Sequence, residues 1–183
     1  MRSYEFTFIA SGPNPESADL EDRFFGAGCD DATISFMKGL LAISFNREAE
    51  GYAHAVVSAF RDVLKTGITV ERFEPDFLVS AAEIATRANI TRAAVSNYTL
   101  GKRGEFPSPI ARIMSDSPLW DWVDVSSCLY KKGHIGREAV VDARIDRTMN
   151  IFVQSQTQPV NIEKRFIRFL SDPSSLPSIS GIA

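Results

Sequence analysis

Residues 80–104 constrain the fold most, because their spacing predicts two short helices joined by a tight turn. Ser80 can cap the first helix, and Glu83, three residues later, completes a capping box. Asn89 falls where the chain must turn, since asparagine tolerates the left-handed backbone conformation. Thr91 can cap a second helix that runs to about residue 100, where a glycine permits a left-handed stop. The pattern predicts a helix-turn-helix.

The second of these helices has an outer face that suits base reading. Val95 and Tyr98 share the inward face, and a step of 100° per residue leaves small, polar and basic side chains outside. A helix that enters the major groove needs little bulk and side chains that match base edges. Asn97 can pair with adenine, and Arg92 with guanine or a phosphate. The residues predicted to contact DNA are Thr91, Arg92, Ala93, Ser96, Asn97, Lys102, Arg103 and Arg112. The alternative is a small helical hairpin with an ordinary polar surface.

The pattern continues past this helix into a basic turn, the dipeptide Phe106-Pro107, two short apolar runs and a further helix. Over residues 80–133 the chain resembles the winged helix of MerR-type regulators and excisionase-like phage DNA-binding proteins. The resemblance implies a bacterial or phage transcriptional regulator. It also implies two hairpin strands at 110–114 and 118–122, with the hairpin tip at 115–117. A further helix is then expected to be capped by Asp124. Because the tip carries an acid, the phosphate contacts are expected from Lys102, Arg103 and Arg112.

Charge is distributed unevenly along the chain. The total of −3, with a pI of about 5.4, taken whole argues against a nucleic-acid partner. Residues 1–83 hold 7 Lys/Arg and 14 Asp/Glu, whereas residues 84–115 hold 5 and 1. Phosphate contacts act over about a Debye length, so a local basic surface can bind DNA on an acidic protein. Double-stranded DNA is therefore the predicted partner.

Residues 1–76 predict a separate α+β unit. Alternation at Tyr4, Phe6 and Phe8 predicts a strand, and Lys38-Gly39 predicts a hairpin turn. The expected elements are strand 4–10, a helix to about 25, strands 33–37 and 40–45, helix 49–64 and strand 68–73. This βαββαβ order predicts a ferredoxin-like fold, with helices on one sheet face. The core face of the second helix is expected at Ala53, Val56, Val57, Phe60 and Leu64.

The rest of the chain predicts C-terminal helices. A helix over about 137–154 carries two separate apolar patches, which indicates contact with more than one surface. A short amphipathic helix follows at 162–170 with basic residues opposite its apolar face, and the Ser/Pro-rich end is expected to be extended. The predicted domains are 1–76 for dimerisation or partner binding, 77–134 as a winged helix-turn-helix, and 135–183 as helices and tail.

Composition and motifs exclude several classes of function. The 44% hydrophobic and 23% charged residues are typical of a globular protein, and neither a membrane span nor a signal peptide is expected. We therefore expect a cytoplasmic location. Cys29 and Cys128 lack metal-type spacing, and neither His54 nor His134 has a recognisable catalytic partner. No cofactor, metal or catalytic residue is predicted, and the protein is expected not to be an enzyme.

The sequence thus predicts a sequence-specific transcriptional regulator that reads the major groove with helix 91–100. A homodimer is expected because a monomeric helix-turn-helix buries little DNA surface. We expect this dimer to act as a repressor, and one form of the hypothesis is that it represses its own operon. Edge strands of the N-terminal sheet are the expected dimer contact. The alternative is an antitoxin-like or adaptor protein. In that case the N-terminal sheet or C-terminal tail binds a protein partner, and the winged helix supplies autoregulation.

Overall fold

The computed structural model describes residues 1–11 and 19–156, together with 164, 167, 168, 170 and 171. It is a mixed α+β structure. The first group of elements is β1 (Arg2–Ser11), α1 (Leu20–Ala27), β2 (Ala32–Met37), β3 (Leu40–Ala49), α2 (Tyr52–Lys65) and β4 (Thr69–Glu74). The second group is β5 (Leu78–Val79), α3 (Ala81–Arg87), α4 (Arg92–Thr99), β6 (Trp120–Asp121), α5 (Trp122–Lys131) and α6 (Arg137–Gln156).

Four strands form an antiparallel sheet in the order β2-β3-β1-β4. Phe8 on the central strand β1 pairs with Ile43 of β3 and Phe73 of β4, and all three side chains are fully buried. Residues from α1, α2 and α6 share the same core. One face of the sheet is therefore covered by helices, while Asn46 and Glu48 of β3 are exposed.

Aromatic rings fill the space between sheet and helices. Phe6, Phe8, Phe45 and Phe73 form a group in which the closest ring centroids, those of Phe8 and Phe73, lie 5.2 Å apart. Each buried ring contributes roughly 1.5–3 kcal/mol from burial, and aromatic pairs add about 0.5–1.5 kcal/mol. These rings account for much of the stability of this first core.

The N-terminal strand and turn predictions are confirmed, but the second helix differs in its start and its buried face. It begins at Tyr52 because β3 continues to Ala49, which pairs with Arg2 of β1. Its core face is Tyr52, Ala55, Val56, Ala59 and Val63, whereas Val57 and Leu64 are about half exposed. The helix has two apolar faces, and the alanine-bearing face packs on the sheet because small side chains allow close approach. The predicted start of α1 within 12–18 lies outside the described residues.

The caps and turn predicted for the helix pair α3–α4 are confirmed. The Ser80 hydroxyl accepts a hydrogen bond from the Glu83 amide at 3.3 Å, and the Glu83 carboxylate accepts one from the Ser80 amide at 2.7 Å. Burial opposes ionisation of Glu83, yet these hydrogen bonds hold its pKa below the usual value. Asn89 adopts φ 51°, and Thr91 accepts a bond from the Ala94 amide at 3.1 Å.

The hairpin expected over 110–122 is largely wrong. Ala111 and Leu119 form a single antiparallel bridge, and β6 pairs instead with β5. The helix α5 begins earlier than predicted and is capped by Asp121, whose carboxylate accepts a bond from the Val123 amide at 2.8 Å. Asp124 lies within the first turn. The physical reason is burial: both tryptophans at 120 and 122 enter the core beneath α3 and α4, which draws the chain away from a hairpin.

Helix α6 joins the two cores, as its two apolar patches predict. Ala143 is buried in the core of α3–α5, whereas Met149 and Val153 belong to the core beneath the sheet. The fully buried Asn150 pairs its amide with the backbone of Phe73: the Phe73 amide donates to Oδ1 at 3.0 Å, and Nδ2 donates to the Phe73 carbonyl at 2.9 Å. The Asn150 side chain thus satisfies both backbone polar groups of Phe73 on β4, as a neighbouring strand would.

A second polar contact fixes the same helix. The Tyr52 hydroxyl donates to Oδ1 of Asp146 at 2.7 Å, and both residues are buried. Burial raises the pKa of Asp146 to about 7, although the hydrogen bond from Tyr52 favours the charged form.

Most of the amphipathic helix predicted at 162–170 lies outside the described residues. No described helix is long and apolar enough to cross a bilayer.

A charged cluster holds α1, β3 and α2 together. The Arg47 guanidinium donates two bonds to the Asp31 carboxylate at 2.8 Å and one to Asp62 at 2.6 Å. It also donates to the Gly28 carbonyl at 2.8 Å. Burial opposes the charge on Asp62, but hydrogen bonds from Lys65 and Arg47 keep its pKa below normal. These hydrogen bonds offset the cost of removing the charged groups from water.

Candidate nucleic-acid interface

The two faces of α4 differ as the sequence predicts. Val95 and Tyr98 are buried against α3 and α5, with Val95 fully enclosed. Thr91, Arg92, Ala93 and Ser96 are exposed, and Asn97 is half-buried. The exposed side chains are short except for Arg92, so the outer face has the low relief that entry into a major groove requires.

Tyr98 organises the turn that follows α4. Its hydroxyl lies 2.6 Å from Nε2 of His134, and its ring stacks on Phe106 with centroids 5.5 Å apart. The guanidinium of Arg103 lies 5.7 Å from the ring centroid, and Nζ of Lys132 lies 5.4 Å from it. One buried aromatic side chain thereby brings cations from the turn and from the end of α5 to one place.

The cationic surface is larger than the sequence interpretation proposed. Lys131 and Lys132, at the end of α5, are both exposed, and Nζ of Lys132 donates to the Arg103 carbonyl at 3.2 Å. They therefore join Lys102 and Arg103, which were predicted. The run Lys131-Lys132-Gly133-His134 was visible in the sequence, but its proximity depends on a fold contact 29 residues apart.

Arg112 lies apart from this group in the chain. It is exposed, has a left-handed φ of 53°, and precedes a turn in which the Ser115 amide donates to the Arg112 carbonyl at 3.0 Å. The adjacent bridge between Ala111 and Leu119 holds the base of this loop. Arg112 is therefore presented by a loop, whereas the predicted residues of α4 are presented by a capped helix.

The interface cations are available to a ligand. In the part of the chain that the structure describes, the ion pairs engage other cations: Arg2, Arg47, Lys65, Arg72 and Arg147. Because Arg92, Lys102, Arg103 and Lys131 hold no described carboxylate partner, a phosphate would not have to displace one. An arrangement of this kind can make charge-assisted hydrogen bonds to phosphate oxygens.

Comparison with protein-family models, curated proteins and solved structures found no match for this chain. Among the described residues, no group of three His, Cys, Asp or Glu side chains could hold a metal ion. Burial raises the pKa of Cys29 to about 11, which keeps this thiol protonated at neutral pH.

Proposed function

We propose that the protein is a sequence-specific, DNA-binding transcriptional regulator of bacterial or phage origin that reads the major groove with α4. The observation that carries this proposal is the outer face of α4. Ala93 and Ser96 are exposed and small, Arg92 and Asn97 flank them, and cations from two further segments adjoin the end of the helix. A cytoplasmic location fits this function.

We also propose that a ferredoxin-like unit precedes a helix-turn-helix with a short wing. The strand order β2-β3-β1-β4 with α1 and α2 between strands supports a ferredoxin-like unit. The capped pair α3–α4, with its turn at Asn89, supports a helix-turn-helix. The bridge between Ala111 and Leu119 supports a wing much shorter than the resemblance to MerR-type and excisionase-like proteins implies.

Electrostatics suffice for the initial contact with DNA. If about five cations each meet a phosphate, the logarithm of the binding constant falls with the logarithm of salt with a slope near −4.5. Affinity then drops by roughly 10²–10³ between 50 and 200 mM salt. The acidic first part of the chain, with 7 Lys/Arg against 14 Asp/Glu over residues 1–83, disfavours DNA contacts elsewhere on the molecule.

We propose a homodimer that pairs through strand β2. This strand is at one edge of the sheet, and its sequence from Ala32 to Met37 holds no charge and no proline. Natural edge strands usually carry charges or prolines that prevent pairing with another chain, so their absence from β2 favours pairing. Phe36 and Met37 are 39% and 63% exposed, which suits burial in a paired sheet. Two α4 helices would then read half-sites about 34–36 Å apart, or a multiple of that spacing.

Selection of bound duplexes from a random library tests this function. The parent protein should enrich one motif, and a palindrome in that motif supports the dimer. Ala93→Glu places a carboxylate on the outer face of α4 and should abolish enrichment. Ala53→Glu, at an exposed position of α2, makes the same chemical change away from the interface and should leave the motif intact. Equal enrichment by both variants would refute base reading by α4.

A further inference from the structure

A groove of about 690 Å³ lies between α2 and α6, on the opposite side of α2 from its buried alanines. Its floor includes the buried Val56 and Met149, and the rings of Phe60 and Phe152 meet edge to face with centroids 5.8 Å apart. The residues that line it are Ala53, Val56, Val57, Phe60, Arg61, Leu64, Val141, Arg144, Ile145, Thr148, Met149 and Phe152.

Apolar side chains on its walls are about half exposed. Val57, Leu64, Val141 and Phe152 are 47%, 50%, 46% and 46% exposed. Four such side chains around one concave surface form a contiguous patch, and patches of this kind mark interaction sites. The stretch of α6 from Val141 to Phe152 spans about 16 Å at 1.5 Å per residue, which is the length of a three-turn helix.

Charge distinguishes among the occupants. Among the described residues that line the groove, the charged ones are Arg61 and Arg144, and none is acidic. A second copy would bring both arginines against the same pair in its partner. The chain's own predicted helix at 162–170 is also basic, with Lys164, Arg165 and Arg168 against one acid. Within that segment, the described Ile167 and Leu170 are 54% and 67% exposed.

We propose that this groove binds an amphipathic helix of a different protein, whose apolar face is flanked by aspartate or glutamate. Apolar anchors at i, i+4 and i+7 would pack along the groove against the exposed side chains of Val57, Leu64 and Val141, as in helix-in-groove recognition. The acidic flanks would meet Arg61 and Arg144. This inference does not depend on DNA binding, because the groove shares no residue with α4 or its basic turn.

The experiment uses the full chain and a displayed library of 16-residue helices. Each library member has a fixed apolar stripe and flanking positions randomised between Glu and Lys. The parent protein should enrich Glu at the flanks, and the enriched peptide should bind at least tenfold more tightly than its Lys counterpart in fluorescence anisotropy. Arg61→Glu with Arg144→Glu should reverse this preference, because it inverts the charge of the rim.

Matched surface variants separate the groove from general stickiness. Val57→Gln with Phe152→Gln, both at exposed positions, should weaken the enriched peptide at least tenfold. Ile110→Gln, at an apolar position of similar exposure (51%) outside both the groove and β2, should leave its binding unchanged. Thermal melts of all variants check that folding is retained.

Several outcomes would overturn the proposal. Enrichment of Lys, or no enrichment over the Val57→Gln/Phe152→Gln protein, would refute an acidic helical ligand. Conversion of a dimer into a monomer by that double variant, seen in light scattering, would assign the groove to a second copy. Tighter binding of a synthetic 157–183 peptide than of the enriched peptide would assign it to the chain's own tail. None of these readouts involves DNA, so failure here leaves the regulator proposal to its own test.

Discussion

The core beneath the sheet and the core beneath α4 differ in where their cationic side chains lie. The first encloses polar groups: Arg47 binds two carboxylates and a carbonyl, and Asn150 and Asp146 fix α6 from inside. The second core is apolar around Val95 and Leu129 and encloses the carboxylate of Asp121, which pairs with Arg147, whereas the cations of α4 and its basic turn lie at the surface. Enclosed charge therefore stabilises the first region, whereas the cations around α4 in the second region are left for a ligand.

This contrast predicts a separation of mutational effects. Substitutions of enclosed polar residues in the first region should lower the free energy of unfolding and leave the intrinsic DNA preference of the folded protein unchanged. Substitutions of surface residues in the second should change DNA binding and leave the free energy of unfolding within about 0.5 kcal/mol.

Arg47→Ala should lower the free energy of unfolding by about 3–5 kcal/mol. The change removes the cation between Asp31 and Asp62 and leaves two carboxylates facing one another. Urea denaturation measures the loss. Arg61→Ala, on the exposed side of α2, is the matched control and should cost less than about 0.5 kcal/mol. A loss for Arg47→Ala no larger than that of its control would show that the enclosed cluster does not stabilise the fold.

Asn150→Ala should cost about 2–4 kcal/mol, because both the amide and the carbonyl of Phe73 lose their buried partner. The exposed Thr148 lies on the same helix, so Thr148→Ala provides the comparison. Hydrogen exchange at the Phe73 amide locates the effect. Unchanged protection of that amide would contradict the assignment of Asn150 as the link between α6 and β4.

These two anchors also show what the sequence could not predict. The caps at Ser80 and Thr91 and the turn at Asn89 were predictable because each depends on residues within three or four positions. Asn150 and Phe73 are 77 residues apart. No local pattern distinguishes this asparagine from a surface one, since only the packed fold brings it to β4.

The difference between local patterns and contacts made by the packed fold also explains which sequence predictions were wrong or incomplete. The buried face of α2 was misassigned because its two apolar faces have equal helical periodicity, and the choice depends on fit against the sheet. In the candidate interface, the outward positions on α4 followed from the 100° step. Lys131 and Lys132 were not predicted, because their approach to Arg103 depends on the Tyr98 ring and on how α5 packs.

Asp146 should make stability fall as pH rises. Its pKa of about 7 in the folded protein, raised by burial, exceeds the ordinary value of 3.8, so the folded state holds the extra proton between these limits. Stability contributed by the protonated acid is fully present below about pH 4 and is lost as pH approaches 7. Asp146→Asn should remove about 2 kcal/mol of difference between pH 5 and pH 7.

Urea midpoints taken across this range, parent against variant, isolate the contribution of Asp146. Subtraction is needed because other acids contribute as well: burial also raises the pKa of Asp142, whereas Asp62 has a lowered pKa and acts in the opposite direction. Thr148→Ala, at an exposed and uncharged position on the same helix as Asp146, is the matched control and should leave the pH profile unchanged. Parallel profiles for parent and Asp146→Asn would mean that this carboxyl is ionised in the folded protein.

Substitutions at Asn97 on α4 and at Lys102 in the following turn test whether surface residues of the second region bind DNA. Asn97→Ala should cost about 1–3 kcal/mol on the selected DNA site and little on unrelated DNA, because a base-edge contact discriminates between sequences. Lys102→Ala should weaken all sequences alike and reduce the salt slope by about one, since a phosphate contact carries no sequence information. Gel shifts across a salt series distinguish the two patterns. If Asn97→Ala binds like the parent at every salt concentration, α4 does not read bases through this residue, and the free cations beside it bind the backbone without specificity.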